Sequence, residues 1–297
     1  MRGDTDSVCL WSVDPVTWQT ERREPSETDE RSSDGAKKSV YAAFATWYGR
    51  RVVRLEHHLD RLADSARRVG IDPPDPLQLR RTLAALLEES DYPEARIRVT
   101  LSETRGSGLG PLTTVTVQMS RYEGPPVELR ESGVACGLLR GATRETPEAK
   151  QTAWIAERER LIRHSGREYY EWLIADRDGA ILEGASSNFY LLIPGPTSRA
   201  DVLRTAGTGV LAGTARAIVL EVATERLELQ LQPPNESDLA LASEAFLTSA
   251  SRGVIPVTSV EETVIGAGAP GPMTRWLTSA YERRAQELAT PLSPAPD

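Results

Sequence analysis

The chain has 297 residues, and its 43 acidic side chains outnumber its 35 lysines and arginines, which gives a formal charge of −8. A hydrophobic share of 39% and a charged share of 26% indicate a folded globular protein and exclude a fibrous or disordered one. The acidic balance argues against nucleic-acid binding, and two cysteines are too few for a disulfide framework. With no long apolar run in the sequence, we expect a cytoplasmic protein with no membrane or nucleic-acid partner.

The first half of the chain shows the patterns of strands and helices after a charged segment. Residues 20–38 have no hydrophobic period and are predicted to form a mobile loop. Apolar or alternating residues predict strands at 40–48, 51–55, 95–101 and 114–119. Leucines at helical spacing predict a helix over 55–69 and another that begins after Asp75. His57 and His58, at the start of the first helix, are interpreted as surface or interface residues.

The second half predicts short strands alternating with helices, after a linker at 123–131 that opens with a Gly-Pro-Pro turn. The predicted strands are 171–175, 180–183, 189–193, 245–247 and 254–257. The predicted helices are one that follows Lys150 and ends near Ile162, one that opens at 211–214, and one after Pro272. Both halves therefore mix strands and helices, which predicts an α+β protein with domains at 1–122 and 132–297.

Lysine is scarce in this chain. Lys37 and Lys38 lie in the charged segment, and Lys150 precedes a predicted helix. The other basic side chains are arginines, which stay protonated and cannot act as amine nucleophiles. A lysine at a helix start is usually a solvated surface residue. If the protein uses amine chemistry, however, Lys150 is the candidate.

Three further positions have the residue types of an anion-binding and ring-binding site. Glu183 ends a predicted strand beside small residues, where a carboxylate could pair with a pyridine nitrogen. Gly213 precedes a predicted helix, whose first N–H groups attract an anion such as phosphate. Arg61 could hold the same anion with two hydrogen bonds. Taken singly, such features are more often an ordinary strand end, helix start or surface arginine.

The order of these features along the chain is more specific than any one of them. An arginine helix, a lysine, a Glu-Gly-x-Ser-x-Asn strand end and a Gly-Thr helix start resemble the class IV, branched-chain type, pyridoxal-phosphate enzymes. The resemblance runs from about Tyr41 to Leu288 and includes Phe246-Leu247-Thr248-Ser249. It implies a small α/β N-terminal domain, a larger C-terminal pseudo-barrel domain, pyridoxal 5′-phosphate bound between them, and a homodimer.

The resemblance also implies roles for individual residues. Lys150 would be the catalytic residue that binds the cofactor covalently and moves the proton at the substrate Cα, and Glu183 would pair with the pyridine nitrogen. The other expected cofactor contacts are Arg61, Ser187, Asn188, Gly213, Thr214, Ala215 and Ala250. The expected substrate contacts are Phe44, Arg98, Arg105, Ser249, Ala250 and Ser251. No metal site is expected.

Several positions depart from the family pattern. Ala215 replaces a threonine that many members carry, and Ile155 stands where branched-chain aminotransferases have a tyrosine. Residues 105–108 are similar to a loop of the deoxychorismate lyases, although the residues that follow differ. Arg96 and Arg98 share the polar side of a predicted strand, which faces either solvent or a substrate carboxylate.

Three functions follow from the sequence. The first is an aminotransferase that moves an amino group between an amino acid and a 2-oxo acid. The second is a lyase that forms 4-aminobenzoate and pyruvate from 4-amino-4-deoxychorismate. The third is a non-catalytic relative that acts as an interaction module, against which the pair of Lys150 and Glu183 argues, because binding alone does not require it.

Overall fold

The computed structural model describes residues 8–24, 38–105, 111–142, 144, 146–195 and 201–292, without the side chains of residues 104, 105 and 111. Within these ranges the helices are α1 (Leu55–Val69), α2 (Pro76–Ser90), α3 (Val127–Glu131), α4 (Ala153–Ser165), α5 (Thr214–Ala223) and α6 (Pro272–Glu287), with a 3₁₀-helix at Glu236–Leu241. None of these described helices is long and apolar enough to span a bilayer.

Each strand predicted from the sequence has a counterpart in the described ranges, although β3 and β4 end before residues 48 and 54, and the structure adds others, among them the seven-residue β7. They are β1 (Cys9–Val13), β2 (Thr20–Arg23), β3 (Ser39–Trp47), β4 (Arg51–Val53), β5 (Ala95–Arg105), β6 (Pro111–Arg121), β7 (Val134–Arg140), β8 (Glu171–Ala175), β9 (Ile181–Gly184), β10 (Asn188–Ile193), β11 (Val202–Arg204), β12 (Glu228–Gln230), β13 (Glu244–Ser249), β14 (Gly253–Val260), β15 (Thr263–Val264) and β16 (Ala289–Pro291).

The chain divides into two compact units. The first unit comprises Met1–Glu123, Ala149–Glu157 and Leu288–Asp297, and the second comprises Gly124–Glu148 and Arg158–Glu287. The assignment of these units to the domains predicted from the sequence stays a prediction. The segment 123–131, predicted as a linker, contains the short helix α3.

The first unit is an antiparallel sheet with two helices packed on it. Among the described residues, the strand order is β16-β4-β3-β5-β6-β1-β2. Alternation along β5 buries Ile97, Val99 and Leu101 completely, and the apolar stripe of α1 packs into the same core. Helix α2 begins as predicted, because the Asp75 carboxylate accepts a hydrogen bond from Gln78 N at 2.8 Å.

The prediction of a loop over 20–38 is wrong at its start. Thr20–Arg23 form the edge strand β2, which pairs antiparallel with β1 and registers Arg22 opposite Trp11. All four residues of β2 are exposed. A solvated edge strand needs no alternation of polar and apolar residues. The charged sequence of β2 therefore did not predict a strand. The rest of the predicted loop, residues 25–37, lies outside the described residues.

The second unit is a mixed sheet whose central strands are buried on both faces. Among the described residues, its order is β12-β11-β10-β13-β14-β7-β8-β9, with β15 paired to β14. Strand β7 runs parallel to both of its neighbours, β14 and β8, whereas β13 pairs antiparallel with β10 and with β14. The continuous apolar runs of β8 and β10 fit this two-sided burial. Helices α5 and α6 pack against each other and against β13.

Candidate active site

The backbone of Lys150 is fixed to the sheet of the first unit. Tyr41 N, on β3, donates to Lys150 O at 2.9 Å, and Lys150 N donates to Ser65 Oγ on α1 at 3.3 Å. The next residue, Gln151, forms an antiparallel bridge with Val40. These contacts on both sides of the lysine hold its Cα in place, so its long side chain is directed by rigid elements.

The side chains of Lys150 and Arg98 lie against the same aromatic ring. Lys150 Nζ is 4.8 Å from the centroid of the Tyr41 ring, and Arg98 Cζ is 4.5 Å from it. Cations are attracted to the face of an aromatic ring. Strand alternation puts Arg96 and Arg98 on the side of β5 opposite Ile97. Of the two arginines, Arg96 is exposed and Arg98 is partly buried. Arg98 therefore shares an aromatic neighbour with the candidate catalytic amine.

Arg61 is a partly buried cation on α1. Its Nη2 lies 3.5 Å from Nδ1 of His58, one helical turn earlier. Burial lowers the pKa of Arg61 to about 10, and the nearby Tyr41 opposes this shift, so the guanidinium stays charged at neutral pH. A partly buried arginine that keeps its charge is suited to hold a phosphate.

The interpretation of His58 as a surface residue is wrong. His58 is buried, and its ring packs on Phe44 with a centroid distance of 4.8 Å. Burial, together with the charges of Arg61 and Lys150, lowers the pKa of His58 well below its usual value, so the imidazole is neutral. Its Nδ1 can then accept the hydrogen bond from Arg61. Phe44, expected to contact substrate, is part of the hydrophobic core here.

Glu183 lies in the second unit near the end of β9, where it is buried. Its Oε2 accepts hydrogen bonds from Leu211 N at 3.1 Å and from Asn188 Nδ2 at 3.5 Å, and its Oε1 accepts one from Arg144 Nη1. Burial raises the pKa of Glu183, while Arg144 and the Leu211 N–H oppose the rise because they stabilise the ionised form.

Sequence reasoning did not identify Arg144 as part of the site. Its side chain is largely buried and forms an ion pair with Glu183, 39 positions further along the chain. Arg144 stands in a stretch without hydrophobic period between β7 and Lys150. No local pattern encodes a contact over that separation. The one available signal was that Arg144 lies close to the candidate lysine in sequence. Because the chain is rich in arginine, such proximity is uninformative.

The glycine before α5 is required by a close approach of side chain to backbone. Asn188 Nδ2 donates to Leu211 O at 3.0 Å, and a Cβ atom on Gly213 would collide with Asn188 Oδ1. Gly213 is the N-cap residue of α5 and has no side chain with which to cap the first N–H groups. Thr214 and Ala215, the expected phosphate contacts, are buried in the first turn of the helix.

Expected site residues also lie in two turns of the second unit. Ser187, before β10, donates through Oγ to Glu171 Oε2 at 3.1 Å. Ser249, at the end of β13, accepts through Oγ from Arg252 Nε at 2.9 Å. Ala250 and Ser251 follow Ser249 in the turn to β14 and are partly exposed. The remaining expected contact, Arg105, ends β5, and its side chain and the following residues 106–110 lie outside the described part.

Each unit by itself carries groups of the types that pyridoxal phosphate requires. In the first unit Lys150 has an amine and Arg61 a partly buried guanidinium, and in the second unit Glu183 has a carboxyl group that accepts three hydrogen bonds. The second unit also has the start of α5 after Gly213, and helix N-termini attract anions. These residue types fit the cofactor that the order of the motifs predicted.

Comparison with known families agrees with this assignment. The family model of amino-transferase class IV matches residues 43–260. The chain belongs to this family, whose cofactor is pyridoxal phosphate, and the resemblance predicted from the order of the motifs is confirmed.

Relatives with different substrate names are similar to the chain. Branched-chain-amino-acid aminotransferase-like protein 1 of Arabidopsis thaliana is 26% identical over 271 residues, which cover 86% of this chain and 47% of that protein. The chain thus spans about half the length of this curated relative. D-alanine aminotransferase of Bacillus licheniformis is 27% identical over 243 residues, covering 77% of this chain and 81% of that protein.

A solved structure confirms the predicted fold class. The branched-chain amino acid aminotransferase from Thermobaculum terrenum, crystallised in its PLP-bound holo form, superposes with a TM-score of 0.79 at 18% identity. The match covers 98% of this chain and 100% of that one. The fold is therefore the two-domain α+β fold of the class IV enzymes, as the sequence predicted.

Proposed function

We propose that the protein is an aminotransferase that moves an amino group between an amino acid and a 2-oxo acid. The observation that carries the proposal is the buried Glu183 carboxylate, which three donors hold in place. A binding module gains nothing from a desolvated carboxylate beside small residues, whereas a pyridine cofactor needs such a partner. We also expect the homodimer that is usual in the family.

The placement of Lys150 and its neighbours supports a role for each of them. When bound, pyridoxal phosphate withdraws electrons from the substrate Cα and so makes its proton removable. Lys150 would hold the cofactor and then, as a free amine, take the proton from Cα and return it. Tyr41 would position that amine through its ring. Arg98, against the same ring, would bind the donor's carboxylate and orient the Cα–H bond toward Lys150.

Glu183 and Arg61 would act on opposite ends of the cofactor. Glu183 would keep the pyridine nitrogen protonated, which strengthens the electron-withdrawing ring. Arg144 would keep that carboxylate ionised despite its burial. Arg61, with the N–H groups at Thr214 and Ala215, would hold the phosphate. The division of the chain at residues 122 and 132 into a small domain and a cofactor-binding domain remains part of this proposal.

The decisive experiment is a half-reaction on purified protein loaded with pyridoxal phosphate. Single L- and D-amino acids, including branched-chain amino acids and alanine, are added without 2-oxo acid. Stoichiometric loss of the absorbance band of the lysine-bound cofactor, with formation of 2-oxo acid, supports transamination. The panel identifies both the donor and its handedness, which the relatives named for branched-chain amino acids and for D-alanine leave open.

Two lysine variants provide the matched control. Borohydride should fix the cofactor on Lys150, identified by peptide mass, and Lys150→Ala should abolish both the fixation and the half-reaction. Lys38→Ala should leave both the fixation and the half-reaction intact, because Lys38 is an exposed residue. Its Nζ forms an ion pair with Glu103 Oε2 at 3.9 Å. Pyruvate release from 4-amino-4-deoxychorismate, with no half-reaction for any amino acid, would replace the proposal by the lyase.

A further inference from the structure

Two turns that carry expected site residues lie at the same end of one strand pair. Strands β10 and β13 are antiparallel and register Asn188 opposite Thr248. The turn that precedes β10 contains Ser186 and Ser187, and the turn that follows β13 begins after Ser249. Because antiparallel neighbours bring the start of one strand to the end of the other, these turns meet at one edge of the second unit.

A buried carboxylate binds the first turn. Glu171, the first residue of β8, is buried, and its Oε1 accepts from Trp172 N at 3.1 Å. Its Oε2 accepts from Ser186 Oγ at 2.5 Å and from Ser187 Oγ at 3.1 Å. Gly184 permits this packing, since a Cβ there would collide with Ser187 Oγ. Both serine hydroxyls therefore use their protons on Glu171.

Arg252 joins this cluster to the second turn. Its Nη2 lies 3.2 Å from Glu171 Oε2 and donates to Ser186 Oγ at 2.9 Å and to Ser186 O at 3.2 Å. Its Nε donates to Ser249 Oγ at 2.9 Å. The rigid, planar guanidinium thus reaches both turns at once, with its charge matched by the buried Glu171.

The contact with Ser249 determines what that hydroxyl can do. A serine oxygen that accepts a hydrogen bond from a guanidinium keeps its own proton for donation to another acceptor. The neighbouring positive charge makes that proton a stronger donor, especially toward an anionic oxygen. Arg252 itself is turned toward Glu171 and is not needed as a direct ligand of the anion.

We propose that Arg252 and Glu171 are positioning residues that lock the Ser249–Ser251 turn to the Ser186–Ser187 turn and orient Ser249 toward an anionic group at the active site. The proposal rests on the proposed function, since that anion is either the cofactor's phosphate or the donor's carboxylate. Arg252 acts through Ser249 and touches neither. Loss of the guanidinium releases the turn and leaves the Ser249 hydroxyl without a fixed direction.

A double-mutant cycle tests this order of action. Arg252→Met, Ser249→Ala and the double variant are compared for the Kd of pyridoxal phosphate, measured by fluorescence on cofactor-free protein, and for the KM and kcat of the best donor. Each single variant should raise the Kd or the KM about tenfold. The double variant should add no more than about twofold, because both changes remove one interaction. A rise in Kd assigns the phosphate, and a rise in KM alone assigns the carboxylate.

Independent effects would overturn the proposal: if Arg252→Met costs the same factor with Ser249→Ala as without it, Arg252 does not act through Ser249. Unchanged Kd and KM would overturn it too. Arg177→Met, an exposed arginine of the same unit, is the matched control. If Arg252→Met fails to fold, Glu171→Gln tests the same lock, because it removes the charge that holds Arg252. A wild-type protein that binds the cofactor but converts no amino acid refutes the proposed function, while the cycle on Kd still tests the lock.

Discussion

Replacing Arg144 by methionine is expected to destabilise the second unit in a pH-dependent way. Both side chains of the Arg144–Glu183 pair are largely buried, at 11% and 4% exposure. Removing one partner of a buried pair costs about 3–5 kcal/mol, because an uncompensated charge is left. Glu183 keeps hydrogen bonds from Leu211 N and Asn188 Nδ2. We therefore expect the lower end, about 3 kcal/mol, or a Tm drop of about 6–12 °C for a unit of this size.

The pH dependence follows from the raised pKa of Glu183. A carboxyl whose pKa is higher in the folded than in the unfolded state binds more protons when folded, so stability falls as pH rises through that range. Arg144→Met removes a cause that lowers this pKa and so raises it further. The Tm loss relative to wild type should therefore be larger at pH 8 than at pH 5, where Glu183 can take up a proton.

Scanning calorimetry of cofactor-free protein at the two pH values measures this difference. Glu183→Gln in the Arg144→Met background should recover most of the loss at pH 8, since a neutral amide does not need a cation. Arg177→Met serves as the control for loss of one exposed arginine. An equal Tm loss at both pH values, or a double variant no more stable than Arg144→Met, would refute the reasoning.

Three other changes have defined outcomes. Arg61→Met should raise the Kd of pyridoxal phosphate about 10–100-fold in a fluorescence titration, because a charged hydrogen bond is lost; an unchanged Kd would exclude Arg61 from the phosphate site. Gly213→Ala should weaken cofactor binding in the same titration by forcing the helix start away from Asn188, and full affinity would contradict that. Glu244→Ala should lower the Tm through loss of about 1–2 kcal/mol, because Glu244 caps α6 by accepting from Thr274 N at 2.6 Å; an unchanged Tm would show that the cap is dispensable.

Elements with clear alternation or helical repeats were predictable from the sequence, whereas the exposed strand β2 and also the mostly buried strands β1 and β7 were not predicted. Strand β5 was predictable because every second residue, such as Ile97 and Val99, is apolar and lies in the core. Strand β2 was not, because hydrogen bonds to β1 alone hold it in the sheet. Short strands such as β11 and β16 are likewise defined by their partners more than by their own residues.

His58 shows that position can outweigh residue type. It stands three residues after Leu55 and four before Leu62, which places it on the buried stripe of α1. The helical spacing therefore predicted burial of His58, whereas the polar residue type led to its interpretation as a surface residue. Arg144 is the opposite case, since its contact with Glu183 depends on how β7, β8 and β9 pair and no local pattern reports that.

The charges of the two units differ in a way that suits the proposed chemistry. Around Tyr41 the first unit gathers the cations Lys150, Arg98 and Arg61, with a neutral His58 that adds no charge. Such a group matches the anionic parts of the reactants, namely a phosphate and an amino-acid carboxylate. The second unit offers the Glu183 carboxylate, which matches the cationic ring nitrogen. If the donor's carboxylate is bound by Arg98, then Arg98→Met should raise the KM of amino-acid donors and leave that of simple amines unchanged, because only the former carry the anion.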